Sequence, residues 1–259
     1  MSSQRLKRLS KAWQDWGTAD PLYAILSSPE YWQNKGDINR FLATGRETVS
    51  DLMQRVDELN LCTERSRALD FGCGIGRLTH ALAPMFDQVV GLDIAASMVE
   101  RARSIHSSVT NCYFEVEVGE DLGRFPDAYF DCVISLLVLQ HLGSEDAIAS
   151  YLHEFLRILR PGGALIVQLP TTVSVAPPPP PLMTRRGLNR SFGYFLRGLG
   201  VSPARLHSRL DWSPEMTMTA ISAERTKREI ESKGGIIAFT SAPETDSGGT
   251  VSWVYIVTR

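Results

Sequence analysis

A glycine-rich turn between an apolar segment and a helix-forming segment organises this chain. Glycine adopts backbone angles that other residues avoid, and it lets the backbone approach a ligand without a Cβ in the way. A strand, such a turn and a helix in this order predict the first unit of a parallel sheet, with a ligand site at its carboxyl edge. The stretch is Leu69-Asp70-Phe71-Gly72-Cys73-Gly74-Ile75-Gly76-Arg77.

An acidic residue ends the next apolar run, at Asp93. A carboxylate at the tip of a second strand accepts hydrogen bonds from the hydroxyls of a ribose, so the two segments together predict a nucleoside site. The glycine spacing is G-x-G-x-G, whereas the dinucleotide fingerprint is G-x-G-x-x-G, and Arg77 stands in place of its third glycine. Asp70 adds a negative charge that would repel a diphosphate and suits a cationic ligand.

The length, net charge and cysteine pattern of the chain limit the classes of function that it can have. The chain has 259 residues and a net charge of −2, which fits one α/β domain with additions and does not favour nucleic acid as a partner. No apolar run is long enough to predict an integral membrane segment, and residues 1–16 do not resemble a secretory signal. The four cysteines lack C-x-x-C spacing, which favours reduced thiols in a cytoplasmic protein over metal ligands.

The pattern along the chain predicts four parts. Residues 1–60 form a helical cap, 61–170 an alternating α/β core, 171–217 a Pro- and Arg-rich insertion or lid, and 218–259 a helix with two strands that complete the core. Strands are predicted at 67–71, 88–92, 112–118, 130–136, 164–169, 236–240 and 251–257. Helices are predicted at 77–85, 145–159 and 217–233, among others.

These motifs resemble the class I S-adenosylmethionine (SAM) dependent methyltransferases, strongly over residues 40–170 and weakly beyond. The turn Arg160-Pro161-Gly162-Gly163 resembles the segment that precedes the fifth strand in that family. The resemblance implies a Rossmann-like, doubly wound α/β sheet of seven strands with the last strand antiparallel. It also implies SAM as cofactor, S-adenosylhomocysteine (SAH) as product, no metal, and a small-molecule methyl acceptor. The oligomeric state stays open.

The resemblance assigns cofactor-binding residues one position at a time. The glycine turn lies under the methionine part of SAM, Asp93 meets the ribose and Ile94 packs on the adenine. Either Glu120 or Asp121 accepts from the adenine amino group. The whole implied set is Arg46, Asp70, Gly72, Cys73, Gly74, Arg77, Asp93, Ile94, Met98, Glu120, Asp121, Leu122 and Leu136.

Several assignments keep two interpretations. Arg46 either pairs with the SAM carboxylate or lies on the surface at a helix start. Tyr31 and Trp32 either cover the substrate site or belong to the core. Gln140 and His141 follow the fourth strand, where His141 acts either as a general base or as a loop-orienting residue.

Other functions on the same sequence also stay open. A nucleotide-cofactor oxidoreductase shares this fold type, although Asp70 and Arg77 disfavour it. A non-catalytic SAM-binding or scaffold protein would keep the cofactor motif.

The basic, aromatic stretch after residue 184 predicts a solvated lid over the site, or an amphipathic helix that touches a partner or a membrane surface.

Overall fold

A computed structural model describes residues 3–119, 121–173, 185–210, 212–214, 216–246 and 249–259. The helices in this part of the chain are α1 (Ser3–Ala19), α2 (Pro21–Leu26), α3 (Ile38–Glu58), α4 (Arg77–Leu82), α5 (Ala96–Ile105), α6 (Glu145–Ile158), α7 (Arg185–Gly198), α8 (Pro203–Leu210) and α9 (Ala223–Glu231). The strands are β1 (Arg67–Phe71), β2 (Gln88–Asp93), β3 (Cys112–Val116), β4 (Phe130–Ser135), β5 (Leu159–Thr172), β6 (Ile236–Thr240), β7 (Glu244–Thr245) and β8 (Val251–Thr258).

One twisted sheet runs through the protein in the order β3-β2-β1-β4-β5-β8-β6. The first five strands of this order are parallel, and β8 inserts antiparallel between β5 and β6. The two-residue strand β7 pairs only with β8, as an addition to the predicted seven. The doubly wound sheet with its last strand antiparallel is therefore confirmed. The chain order reverses between β1 and β4, which is where such sheets bind ligands.

The sheet lies between two layers of helices, and alternate side chains along each strand enter one of two hydrophobic cores. On one face, α3 and α4 cover the small side chains of Ala68 and Cys132. On the other face, α6 covers Leu69 and Val133 with a row of large apolar side chains. Burial on both faces explains why β4 is mostly apolar, with polar side chains only at Asp131 and Ser135. A third cluster of aromatic residues from α1, α2 and the start of α3 lies above the carboxyl edge and forms the predicted helical cap.

The insertion and its neighbours differ in detail from the sequence prediction. The predicted helix over 217–233 begins only at Ala223, where the Ser222 side chain accepts from the N–H of Arg225. The preceding segment is extended, with the Thr219 N–H donating to the Gln140 carbonyl. The prolines 177–181 lie outside the described residues, as does Glu120.

The turn at residues 160–163 is structural. The Arg160 guanidinium donates to Asp131 Oδ1 at 2.7 Å, and Asp131 Oδ2 accepts from the Arg67 N–H at 2.8 Å. Gly162 has a φ of +77°, which favours glycine. These bonds join the amino ends of β1, β4 and β5, so they lie at the opposite edge of the sheet from the glycine turn.

Replacing Asp131 with alanine should lower the free energy of unfolding by about 1–3 kcal/mol, because it removes the buried carboxylate that accepts from both the Arg160 guanidinium and the Arg67 N–H. Urea unfolding at pH 7 measures this. Glu64 also pairs with Arg160, at 3.4 Å, but its side chain is 75% exposed. Glu64→Gln should therefore change stability by less than about 0.5 kcal/mol. Equal losses in both variants would contradict the structural role of Asp131.

Candidate functional site

A cavity with about 780 Å³ of space between atoms opens at the carboxyl edge, at the point where the strand order reverses. The glycine turn, the ends of β2 and β3, the loop after β4, and helices α1 and α2 form its wall. Its lining residues are Leu6, Leu9, Trp13, Ala24, Ile25, Phe71, Gly72, Gly74, Leu92, Asp93, Ile94, Met98, Glu117, Leu136, Leu137, Val138, His141, Leu142 and Tyr151.

The glycine turn shapes the floor of this cavity. Gly72 and Gly74 have φ angles of +80° and +55°. A Cβ on Gly72 would collide with the side chain of Val138, and one on Gly74 would collide with Ile25. The N–H groups of Gly72 and Cys73 both donate to the Leu92 carbonyl, so the end of β2 holds the turn in place. Glycine is needed here both for the backbone angle and for the space above it.

Asp93 lines the cavity and also holds its framework. Its Oδ2 accepts from the Gly74 N–H and its Oδ1 from the Ala95 N–H, each at 2.8 Å. Desolvation raises the pKa of the Asp93 carboxyl to about 6, against the lowering effect of these N–H donors. Each carboxylate oxygen can accept a second hydrogen bond, so Asp93 retains acceptor capacity toward the cavity.

A second carboxylate in the wall is Glu117, which the sequence prediction missed. It directly follows β3, as Asp93 ends β2, and its N–H donates to the Asp93 carbonyl. Its Oε1 accepts from the Gly119 N–H at 2.8 Å. The predicted residue Asp121 is exposed and caps the Gly123 N–H.

Leu122 is fully buried in the core next to α6, and its N–H donates to Glu154. Like Asp121, it does not line the cavity. A charged residue immediately after a strand is the signal that would have found Glu117.

Three residues of the glycine motif lie behind the wall. Asp70 is 1% exposed, and its Oδ2 accepts from the Thr79 hydroxyl at 2.6 Å. Burial raises the pKa of Asp70 to about 6. Cys73 packs against α5, where burial raises its thiol pKa well above the usual value. Arg77 is buried under α3, with its guanidinium 3.4 Å from the Thr44 hydroxyl.

Three further predicted residues lie away from the cavity. Arg46 is exposed on the solvent side of α3, because the neighbouring Gly45 is the residue that packs against the backbone of Arg77. Tyr31 is 1% exposed and packs edge-on against Phe41 in the cap. Trp32 contacts the rings of Tyr23 and His207. For Tyr31 and Trp32 the structure matches the core interpretation.

His141 lines the cavity beside Trp13, with ring centroids 5.0 Å apart. Its Nδ1 lies 2.8 Å from the Thr217 carbonyl and its Nε2 lies 3.3 Å from the Gln140 amide nitrogen. A carbonyl only accepts, so Nδ1 carries the proton and Nε2 is the acceptor. Burial lowers the pKa of His141 to about 4, so the ring is neutral at pH 7. His141 therefore holds the segment before α9 over the site.

The loop between β4 and His141 contains an unusual backbone conformation. Leu137 has a φ of +63°, in the left-handed region that non-glycine residues avoid at a cost of about 1–3 kcal/mol. Its neighbours Leu136 and Val138 also line the cavity. Such strain is commonly stored at functional sites, because the surrounding structure must hold it in place.

Helix α1, within the segment predicted as a helical cap, covers the cavity with side chains that the sequence prediction did not assign to the site. Leu6, Leu9 and Trp13 recur at helical spacing and face inward. The side-chain oxygen of Gln14 accepts from the Ser97 N–H, and the backbone carbonyl of Gln14 accepts from the Ser97 hydroxyl. The apolar spacing predicts a buried face on this helix, but it does not tell which neighbour covers that face.

Neither a metal centre nor a membrane-crossing helix is found among the described residues. No group of three His, Cys, Asp or Glu side chains there is placed to hold an ion. No helix in the same ranges combines the length and the apolar character needed to cross a bilayer.

Comparisons with known proteins agree with this geometry. Residues 69–167 match the model of a family described as a methyltransferase domain. A ubiquinone biosynthesis O-methyltransferase from Xanthomonas oryzae pv. oryzae is 36% identical over 104 residues, which cover 39% of this chain and 42% of that protein. The chain thus spans about two fifths of the length of the curated relatives that it matches.

Solved structures share the fold. A SAM-dependent methyltransferase from Leishmania major aligns with a TM-score of 0.64 and 13% identity, over 98% of this chain and 83% of that one. Magnesium protoporphyrin IX methyltransferase from Synechocystis PCC 6803, solved with bound SAH, aligns with a TM-score of 0.57 and 20% identity, over 95% of this chain and 97% of that one. At these identities the likeness shows the fold alone.

Asp70→Asn should stabilise the protein at pH 7. A carboxyl whose folded pKa of about 6 exceeds its ordinary 3.8 destabilises the fold above pH 6, and this effect is lost below about pH 4. The amide keeps an acceptor for Thr79 without the buried charge. Urea unfolding should show a gain of about 1–3 kcal/mol at pH 7 that vanishes by pH 4. The exposed control Asp121→Asn should change little, and a loss in Asp70→Asn at pH 7 would contradict this account.

Proposed function

We propose that this chain is a class I SAM-dependent methyltransferase that transfers a methyl group from SAM to a small-molecule acceptor. The observation that carries the proposal is the position of Asp93, a half-buried carboxylate beside a glycine turn at the sheet's switch point. The name of the Xanthomonas relative supports the reaction type. The acceptor atom, whether O, N or C, is not specified by the site.

The lining residues fit SAM better than a dinucleotide. Among the described residues around the cavity, Asp93 and Glu117 carry charge, and no Lys or Arg is present. A diphosphate would find two carboxylates and no cation, which disfavours a nucleotide-cofactor oxidoreductase. When bound, SAM supplies an electrophilic methyl group on a cationic sulfur. In this proposal Asp93 accepts from the ribose, Glu117 accepts from the adenine amino group, and Ile94 and Met98 pack on the adenine ring.

The rest of the wall indicates the chemistry of the acceptor. Leu6, Leu9 and Trp13 of α1 and Leu137 and Val138 after β4 are apolar, and His141 is the polar side chain among them. An acceptor with a mainly apolar body and a hydroxyl or amine near His141 matches this surface. The Xanthomonas relative is named for ubiquinone biosynthesis, which is compatible with such an acceptor.

His141 contributes by orientation in this proposal. With a pKa of about 4, the ring is a weak base at neutral pH, but its Nε2 can accept a hydrogen bond from an acceptor hydroxyl in place of the Gln140 amide. The chain's main contribution is then to place the reactants in line and to exclude water. A cytoplasmic location is proposed as well, supported by the four cysteines, which are free thiols.

Calorimetry with SAM, SAH, NAD and NADP tests the cofactor assignment directly. We expect SAM and SAH to bind and the dinucleotides not to bind.

Asp93→Ala should weaken SAM binding by about 1–3 kcal/mol, because it removes acceptors for the ribose and for the Gly74 N–H. Glu117→Ala should weaken it about tenfold, whereas Asp121→Ala should leave it unchanged.

Measuring stability together with SAM affinity for Asp93→Ala and Glu117→Ala separates an effect on binding from an effect on folding. Asp93→Ala also loosens the glycine turn, and Glu117→Ala removes a bond to the Gly119 N–H and an ion pair with Arg124 at 3.6 Å, so the urea midpoint of both variants is measured in parallel. Preferred binding of NAD or NADP would overturn the proposal. SAM binding without transfer to any hydroxylated aromatic acceptor would favour the non-catalytic SAM-binding alternative.

His141→Ala should leave SAM affinity within about twofold and lower turnover roughly 10–100-fold, because the acceptor loses its orienting partner. Since the pKa of His141 is about 4, the rate of the wild-type protein should show no histidine titration between pH 5 and pH 8. An acidic limb near pH 6.5 that disappears in His141→Ala would contradict a neutral, orienting histidine and favour a general base instead.

A further inference from the structure

Helix α7 and the turn after it present an apolar stripe to the solvent. Phe192, Phe195 and Leu199 recur at helical spacing, and their exposed fractions are 52%, 62% and 68%. The two phenyl rings stack on each other with centroids 6.4 Å apart. The opposite side of the helix is packed, because a Cβ on Gly193 would collide with Trp212. A packed helix with a contiguous exposed apolar stripe indicates an interaction surface.

The surroundings of this stripe are strongly basic, although the whole chain is slightly acidic. Residues 185–210 contain six arginines and neither Asp nor Glu, and residues 3–19 contain four Lys or Arg and one Asp. These two segments hold 10 of the 27 Lys and Arg residues of the chain but only one of its 29 Asp and Glu residues. The acidic charge of the protein therefore lies almost entirely elsewhere.

Specific contacts hold the two basic segments against each other. Arg197 of α7 donates to Asp15 of α1 at 2.8 Å, and this pair neutralises the single acid of the two segments. His207 of α8 lies 3.2 Å from Asp20, at the end of α1, and both are buried. We call the exposed groups of these helices the basic helical surface: Phe192, Phe195 and Leu199 with Arg5, Lys7, Arg8, Lys11, Arg205 and Arg209.

We propose that the basic helical surface docks on an anionic lipid bilayer. Exposed Arg and Lys flank a stripe of Phe and Leu, which is the composition of helices that lie in the headgroup region of a membrane. A second copy of the chain is disfavoured, because two such surfaces would bring like charges together. An RNA partner would use the cations, but it would gain nothing from the aliphatic Leu199, whereas acyl chains would bury it.

The basic helical surface borders the cavity through α1. The inner face of α1 contributes Leu6, Leu9 and Trp13 to the cavity wall, and its outer face carries the exposed cations. Docking through the outer face of α1 brings an element of the cavity wall against the lipid surface. An apolar acceptor dissolved in the bilayer would then reach the cavity without crossing water.

Vesicle co-sedimentation tests the proposal, with the full chain at 0.1 M salt. It should bind vesicles of mixed phosphatidylcholine and phosphatidylglycerol at least tenfold more tightly than pure phosphatidylcholine vesicles. The double variant Phe192→Ser/Phe195→Ser should lose about tenfold or more of the affinity for the anionic vesicles. Arg205→Gln should lose about fivefold, and higher salt should weaken binding of the wild-type protein.

Val118→Ser is the matched control, because Val118 is 55% exposed and lies after β3, outside the basic helical surface. It should bind vesicles like the wild type. All variants should keep the wild-type urea midpoint and SAM affinity, so a failure here is distinguishable from a failure of the proposed function. The proposal is overturned by equal binding to both vesicle types, by wild-type binding in the double variant, by tighter binding to single-stranded RNA, or by a dimer that the double variant dissociates.

Discussion

The carboxylate of Asp93 connects the two strand ends between which the cavity forms. One oxygen holds Gly74 of the turn after β1, and the other holds Ala95 at the start of α5. The turn is fastened a second time, because two of its N–H groups donate to the Leu92 carbonyl. Within the turn the Gly76 N–H donates to the Cys73 carbonyl, and the acceptors on β2 hold the remaining N–H groups of Gly72, Cys73 and Gly74. The same carboxylate is the acceptor that faces the cavity.

The site lowers the stability of the fold, and burial of apolar side chains in the two hydrophobic cores offsets this loss. Asp70 and Asp93 are carboxyls whose pKa values burial raises to about 6, so both are held as charges in surroundings that disfavour charge. Leu137 is held in a left-handed backbone conformation. The loop that contains it is fixed by the fully buried strand β4 before it and by the Gln140 and His141 contacts to residues 217 and 219 after it. Buried charges and a strained backbone lower the stability of the fold. Their presence together at this edge of the sheet therefore indicates a functional site.

The sequence predicts the parts of the site that depend on local chain order. Gly72, Gly74 and Asp93 directly follow apolar strands, and parallel strands bring their carboxyl ends together at one edge. Strand order itself came from the family resemblance, because periodicity contains no information on neighbours. Glu117 was missed, although it follows β3 directly, because the resemblance drew attention to the acids at 120 and 121. Tyr31 and Trp32 were placed by their aromatic character, which fits a buried cap as well as a ligand site.

Helix α1 links the cavity to the basic helical surface. Toward α5 it is held by the bonds between Gln14 and Ser97 and by a 3.3 Å bond from the Ser10 hydroxyl to the Ile94 carbonyl. Toward the loop after β4 it is held by the Trp13 ring against His141. If the outer face of α1 docks on a bilayer, the lipid surface acts on the same element that closes the cavity, so membrane docking and access to the cavity are coupled through α1.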